Sequence, residues 1–569
     1  MTTSNGGNSV AVGLIHPTLP PYDALAWQQL PFSARARMVC RAWALQGYGV
    51  PASIFALYGL KIAAYIAVWI VVCTRSPELG SLSEIGQWWL HPLAFQKAVL
   101  WSMLFEVIGL GCGSGPLTGR YLPPVGGALY FLRPGTTRMP VLGSGTRREL
   151  IDVLLYLGLL GSLSAALLAP ALRAAHLLPV AVLLPILGLR DQTIFLAARA
   201  EHYLVVTLVF LLSATQEQWI AGAMAVWAAL WFFAGFSKLN HHFASVVGVM
   251  MSNSPWMRST WLRKKMYRSF PDDLRPSPLA TALGHIGTAL ELCVPLILLL
   301  TTGPGPLLIA GMVLMLILHG YITSNIPMGV PLEWNVLMVY GAIALFWVHP
   351  AVTVLEMSWP AALLVLVASV GLPLLGNRRP DLVSFLLSMR YYAGNWAMSI
   401  WLFRDESHRR LHQGLIMSAP WTEDQLRPLY DRATTVGLLG KVMAFRLMHL
   451  HGRALGMVLP RALETELAEY TWVDGEVVAG LVLGWNFGDG HLHGPRMLEI
   501  VQQSCEFAPG ELRCIFVESQ PLFGRTLHYQ IHDAAAGVLE EGHLPVETLR
   551  QRQPWDLGDG EETPQPMLS

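Results

Sequence analysis

The sequence predicts an all-α polytopic membrane helix bundle of about ten spans, with a small α+β soluble domain at its C-terminal end. Three observations carry this. Of 569 residues, 53% are hydrophobic and only 13% charged, against about a quarter charged in an ordinary soluble domain. Several apolar stretches reach the ~20 residues that a helix needs to cross a ~30 Å hydrocarbon core. The net charge of zero conceals a split, since from Glu464 onward 18 acidic residues face only 5 Lys or Arg. A basic membrane body and an acidic soluble region follow. The basic residues lie between apolar segments and not along one stripe, so nothing resembles a nucleic-acid site.

Residues 1–50 are polar and proline-rich with no early apolar run, so no cleavable signal peptide is expected and the segment reads as cytoplasmic. The bundle is expected over 51–376, with spans near 51–73, 92–112, 151–172, 176–190, 202–215, 218–237, 278–301, 306–322, 332–350 and 359–375. Basic clusters fall at Arg35, Arg37 and Arg41, at Arg120 to Arg148, at Arg258 to Arg275, and at Arg378 and Arg379. Ten spans place all four clusters and both termini on one side. The positive-inside rule makes that side the cytoplasm, here of a bacterial inner membrane. The short segment 176–190, with two prolines, is where this arithmetic is exposed. Should it dip in and return, every later element changes sides.

Hydropathy drops after Gly376. Residues 377–460 read as an amphipathic helical connector, in which "RYYAGNWAMSIWLF" (390–403) suits a helix on the membrane surface or packed on the bundle. A small α+β domain is expected over 461–553. In it "EVVAGLVLGWNF" and "ELRCIFVES" read as strands, "GPRMLEIVQQSCEF" as a helix opening on Pro, and "TLHYQIHDAAAGVLEEGHL" as a hairpin. Residues 554–569 read as an acidic disordered tail. The six cysteines form no CxxC and read as free thiols.

Ionisable side chains inside a bilayer are costly and usually face the bundle interior. Those expected here are Lys61, Glu106, Lys238, His285, Glu291, His319 and Glu333. In "WFFAGFSKLNHH", Lys238, His241 and His242 share one face if the helix continues. The lysine then serves as a general base near imidazoles, or snorkels at a helix end. His285 and Glu291 stand about 120° apart on the wheel and line a cavity from neighbouring faces or bond to other helices. "HGYITSNIPMGVPLEWN" (319–335) interrupts two apolar runs. A break at membrane depth lines a binding site, flanked by His319 and Glu333, or forms a plain turn. Lys61 is the expected counter-charge of Glu106.

"HLHG" occurs at 449–452 and again at 491–494, the second time after Asp489. On a strand, His491 and His493 project to one side and could hold a divalent metal with Asp489. The alternative is ordinary turn chemistry around GDG.

"AGFSKL" resembles a stretch in the vitamin K-dependent γ-carboxylases and the horizontally transferred transmembrane domain group. The resemblance implies a base role for Lys238 toward a quinone-type cofactor. The carboxylases carry a lysine at the place of Ser237 and an acidic continuation in place of "NHHF". Over nearly its whole length the chain is similar to a bacterial multi-pass membrane family catalogued as a domain of unknown function. The matching stretches are "FEVIGLGCGSGPL", "YFLRPGT", "FPDDLRP", "IPMGVPLEWN", "GWNFGDGHLHG" and "IFVESQPL".

Three functions are compatible with these observations. The first is an intramembrane enzyme acting on a quinone or lipid, with Lys238 as base and His241, His242, His285 and Glu291 beside it. The second is a non-enzymatic carrier of a lipid or envelope component, a small hydrophobic ligand bound at the 326–333 break. The third is a scaffold that recruits a protein partner through the acidic domain. Membrane lipids are partners in each.

Overall fold

The computed structural model describes residues 14–121, 127–324, 331–485 and 487–556. Every predicted span contains a helix, and six of these helices are long and apolar enough to cross a membrane: Ala52–Cys73, Leu150–Leu168, Gln216–Phe236, Pro278–Leu300, Pro306–Thr323 and Trp359–Arg378. The other segments are shorter, so length alone supports six crossings and not ten. Several of the six long helices start on ordinary capping chemistry. The side chain of Thr215 accepts from the Gln218 N–H. Ser277 accepts from the Ala280 N–H ahead of Pro278, and Ser358 from the Ala361 N–H ahead of Pro360.

The proline-bearing segment forms one helix, Ala174–Arg190, despite Pro179 and Pro185 inside it. It returns antiparallel to Leu150–Leu168, because Arg190 at its end pairs with Glu149 and Asp152 at the other helix's start. Arg138 also holds Asp152, and Arg148 holds Asp191, so a buried ion network ties this end together.

Gln216–Phe236 runs through the middle of the bundle, with most of its residues buried. It packs closely on Pro278–Leu300 at Gly235, where an added Cβ would stand 2.8 Å from the Glu291 Cβ. That close approach brings the end of the first helix beside Glu291 on the second.

Beyond the bundle lies a five-stranded antiparallel sheet, after a short hairpin of β1 (Tyr267–Ser269) and β2 (Asp273–Pro276). Its strands are β3 (Met398–Arg404), β4 (Tyr470–Asp474), β5 (Leu512–Val517), β6 (Thr526–Asp533) and β7 (Gly537–Pro545), in the order β4-β3-β5-β6-β7. The predicted β6–β7 hairpin, strand β5 and helix Pro495–Cys505 are all present.

Two expectations are corrected. "RYYAGNWAMSIWLF" is not an amphipathic helix: a turn over Tyr391–Ala393 ends at Gly394 with φ +66°, and the rest is β3, buried on both faces. A short, continuous apolar run is ambiguous between buried strand and helix, and pairing with both β4 and β5 decided it. "EVVAGLVLGW" is a helix, Gly475–Leu483, not a strand. Asp474 caps it through the Glu476 N–H, and Gly484 ends it at φ +80°.

The sheet region meets the basic loops. Arg120 donates to Ser418 and Gly480, Arg147 to Gly414 and Ser504, and Arg275 to Gln551. Arg37 and Arg41 from the N-terminal helix Phe32–Gln46 pair with Asp272. The N-terminal segment, two basic loops and the C-terminal sheet therefore lie on one side of the bundle.

Candidate functional site

Seven ionisable side chains converge inside the bundle around Glu106. The helix Pro92–Val107 ends one residue after it, and Gly109 turns the chain at φ +79°. The chain then folds back so that the Cys112 N–H donates to Glu106 Oε2 at 2.9 Å. Gly111 makes this return feasible, since a Cβ there would stand 2.0 Å from Glu106 Oε2. The Cys112 thiol donates to Glu106 Oε1 at 2.9 Å and faces Glu333 Oε1 at 3.5 Å. Lys61 lies 3.4 Å from Glu333 Oε2 and donates to the Gly111 carbonyl at 2.8 Å. The expected Lys61–Glu106 pair is thus corrected: Lys61 takes Glu333, and Glu106 faces Arg199.

Arg199 comes from a break. The short helix Gln192–Ala197 stops, and Arg199 adopts φ +52°. A π-turn over Ala200–Leu204 then leads into the helix Val205–Leu212. Left-handed backbone at a fully buried, non-glycine residue is costly, and π-turns inside helices concentrate at functional sites. The guanidinium lies 3.4 Å from Cys112 Sγ, 3.8 Å from Glu106 and 2.6 Å from Glu201. It also lies over the rings of Trp334, Tyr391 and Phe487. His202 Nδ1 lies 3.2 Å from Glu201 Oε1, and its Nε2 accepts from the Trp334 indole at 3.0 Å. An indole only donates, so Nε2 carries no proton and His202 is neutral. The Tyr203 hydroxyl is fully buried, has Glu106, Cys112 and Arg199 among its electrostatic neighbours, and has no hydrogen-bond partner among the described residues.

The residues singled out around Lys238 do not form one site. The helix ends at Phe236, so Lys238, His241 and His242 lose their common face. Lys238 is locked against both oxygens of Glu291, with its ammonium 4.9 Å from the Phe243 ring centroid. Its amine is therefore engaged by Glu291. His241 and His285 are exposed. His242 is buried away from Lys238 and contacts the Ala393 carbonyl at 2.8 Å and the His451 ring. His319 uses both ring nitrogens, one toward Asn335 and one accepting from Trp231, which leaves none for a ligand. Of the 326–333 break, residues 326–330 lie outside the described residues; Glu333, on its far side, joins the Glu106 cluster.

His491, His493 and Asp489 do not converge as metal ligands either. Their segment is a turn over Gly490–Leu492, not a strand, so the two imidazoles do not share a side. His491 bonds Glu518 at 2.8 Å, His493 bonds Ser399 at 2.7 Å, and Asp489 accepts from Ser384 and caps the turn. Burial would push His491 down, but Glu518 and Asp489 outweigh it and hold the imidazole up at about 9. Burial works to raise Glu518, yet His491 and Arg390 keep it at about 2. The other "HLHG" sits at a helix junction, with His449 and His451 fully buried and His451 without a hydrogen bond at either ring nitrogen among the described residues.

Arg199, Glu201 and His202 are functional candidates that the sequence alone did not single out. Their signal was three ionisable residues in "RAEHY" abutting an apolar run, just where a short segment had to break.

A family model described as "Transmembrane protein of unknown function (DUF3556)" matches residues 12–567. The chain belongs to that family. The match runs through bundle and sheet alike, so the family comprises both parts. No curated protein and no solved structure matches the chain. The likeness to the γ-carboxylases therefore rests on "AGFSKL" alone.

Proposed function

We propose that this family member is an intramembrane enzyme whose reactive centre is the Glu106–Cys112–Glu333 cluster, acting on an apolar molecule with a polar head of quinone or lipid type. The observation that carries the reading is the convergence of seven ionisable groups on one buried point, beside an unpartnered tyrosine hydroxyl. The Tyr203 hydroxyl has no hydrogen-bond partner among the described residues. The helix Ala52–Cys73 lies on the outside of the bundle, most of it exposed, and its Lys61 reaches inward to Glu333. A molecule dissolved in the bilayer, in this reading, approaches the cluster past this helix. In this reading Arg199 and Lys61 bind the polar head, and the carboxylates and thiol hold or move protons during the reaction.

The basic face that meets the sheet is assigned to the cytoplasm of a plasma membrane by the positive-inside rule, and with it the sheet domain. The sheet domain closes that end of the bundle and acts with it as one unit.

The test is mass spectrometry of small molecules co-extracted with detergent-purified protein, native beside Glu333→Gln. Enrichment of one quinone or lipid class by the native protein and its loss in the variant is the expected result. Equal, bulk-lipid profiles in both would overturn the reading and favour a scaffold. Enrichment without conversion on incubation would point to a carrier.

A further inference from the structure

We infer that Glu106, Cys112 and Glu333 form a binding site for one divalent transition-metal ion of the zinc class. The inference rests on the choice of site made above and adds its cofactor.

The first ground is placement. One donor atom from each of the three buried residues lies within 4.8 Å of the other two. A tetrahedral zinc ion, with bonds of about 2.3 Å to sulfur and about 2.0–2.2 Å to oxygen, sets its ligand atoms about 3.3–3.8 Å apart. Cys112 Sγ already stands 2.9 Å from Glu106 Oε1 and 3.5 Å from Glu333 Oε1. Adjustments of side-chain size bring all three onto one ion.

The second ground is how the carboxylates are held. Glu106 Oε2 is fixed by the Cys112 backbone N–H, which leaves Oε1 turned to the sulfur. Glu333 Oε2 lies 3.4 Å from the Lys61 amine, without a hydrogen bond to it, and its Oε1 is turned to the same sulfur. Both carboxylates thus have a polar group beside the outer atom and the sulfur beside the inner one, an arrangement that suits metal ligands. The Gly109 turn and the missing Cβ of Gly111 exist in the chain to permit this return.

The third ground is the chemistry of the donor set, two carboxylates and one thiol. A thiolate among the donors favours zinc-class ions over magnesium or calcium, which take oxygen ligands. Three protein ligands leave one position open, the arrangement of catalytic zinc. Tyr203, an electrostatic neighbour of Glu106, Cys112 and Arg199, has a hydroxyl without a hydrogen-bond partner among the described residues.

The experiment uses the full chain purified in detergent, with elemental analysis first and then Co²⁺ titration of chelator-stripped protein. The expected result is about one equivalent of metal per chain, and a sulfur-to-cobalt charge-transfer band that Cys112→Ser abolishes and Cys293→Ser leaves intact. Glu333→Gln should weaken Co²⁺ binding about tenfold or more. If Cys112→Ser does not fold, the native spectrum decides alone. Folded native protein that takes up no metal, or binds Co²⁺ without a thiolate band, overturns the inference. Should metal be missing while the co-extracted molecule is still lost in Glu333→Gln, the metal falls and the functional reading stands. Metal present without any enriched molecule leaves the metal site standing and removes the functional reading.

Discussion

The ammonium of Lys238 is clasped by both carboxylate oxygens of Glu291 across the contact between Gln216–Phe236 and Pro278–Leu300. Both groups are buried, and Gly235 allows the helices close enough for the pair to form. Removing one partner strands the other charge in a low-dielectric interior, which costs about 3–5 kcal/mol. Lys238→Met should therefore lower the melting temperature in detergent markedly. Adding Glu291→Leu should restore most of the loss. A catalytic base would behave differently, since the double variant would recover stability but not turnover. Turnover in the double variant close to native places Lys238 outside the chemistry.

Gly111→Ala tests the local fold of the cluster. The new methyl would stand 2.0 Å from Glu106 Oε2, so the carboxylate must leave the Cys112 N–H or the backbone must shift. Overpacking of this kind costs about 1–3 kcal/mol, and here a buried N–H is also left unpaired. We expect lower thermal stability together with loss of Co²⁺ binding. Gly161→Ala, where nothing lies within 4 Å, should be close to neutral in both measurements. An unperturbed Gly111→Ala protein would mean that Glu106 does not depend on this turn.

The His491–Glu518 pair gives the sheet region an alkaline limit. His491 is held up at about 9 against an ordinary 6.5, so its contribution is complete below 6.5 and is lost as pH rises through 9. Glu518 is held down at about 2 against 4.5, so its contribution is complete above 4.5 and is lost as pH falls toward 2. The pair is fully effective between about pH 4.5 and 6.5. Melting curves from pH 7 to 10 should show native stability falling by about 2 kcal/mol more than that of His491→Gln. Parallel curves for the two proteins would show the pair contributes nothing across that range.

Much of the bundle was legible because composition and long apolar runs are signals that no tertiary contact overrides. The helix positions followed, and so did Glu106, Lys61 and Glu333 as intramembrane ionisable groups. Their partners did not follow. Lys61 meets Glu333 and not Glu106 because the chain after Val107 folds back and supplies Cys112 to the carboxylate, a turn that spacing does not reveal. The shared face of Lys238, His241 and His242 required a helix that stops at Phe236. Strand β3 reads as amphipathic in sequence because its neighbours β4 and β5 come from about seventy and a hundred and ten residues further along. Its burial on both faces is a property of the sheet. Arg199 was not legible because its role depends on one left-handed residue at a break.

The histidines of the first "HLHG" set the acid limit. His449 donates through Nδ1 to the Phe445 carbonyl at 2.6 Å, and among the described residues His451 has no hydrogen bond at either ring nitrogen. Burial holds His449 down at about 4 and His451 well below its ordinary value. The unfolded chain therefore binds protons at these positions from about pH 6.5 downward while the folded chain does not. Stability falls with pH across that interval, and for His449 the loss ends near pH 4. His451→Phe keeps a flat, buried ring and removes the titrating group. We expect the variant to be near native at pH 7.5 and to lose less stability than the native protein on going to pH 4.5. Melting curves of the two proteins at pH 7.5 and 4.5 check this. An equal acid loss in both proteins would mean that His451 already meets a proton, or water, in the folded state.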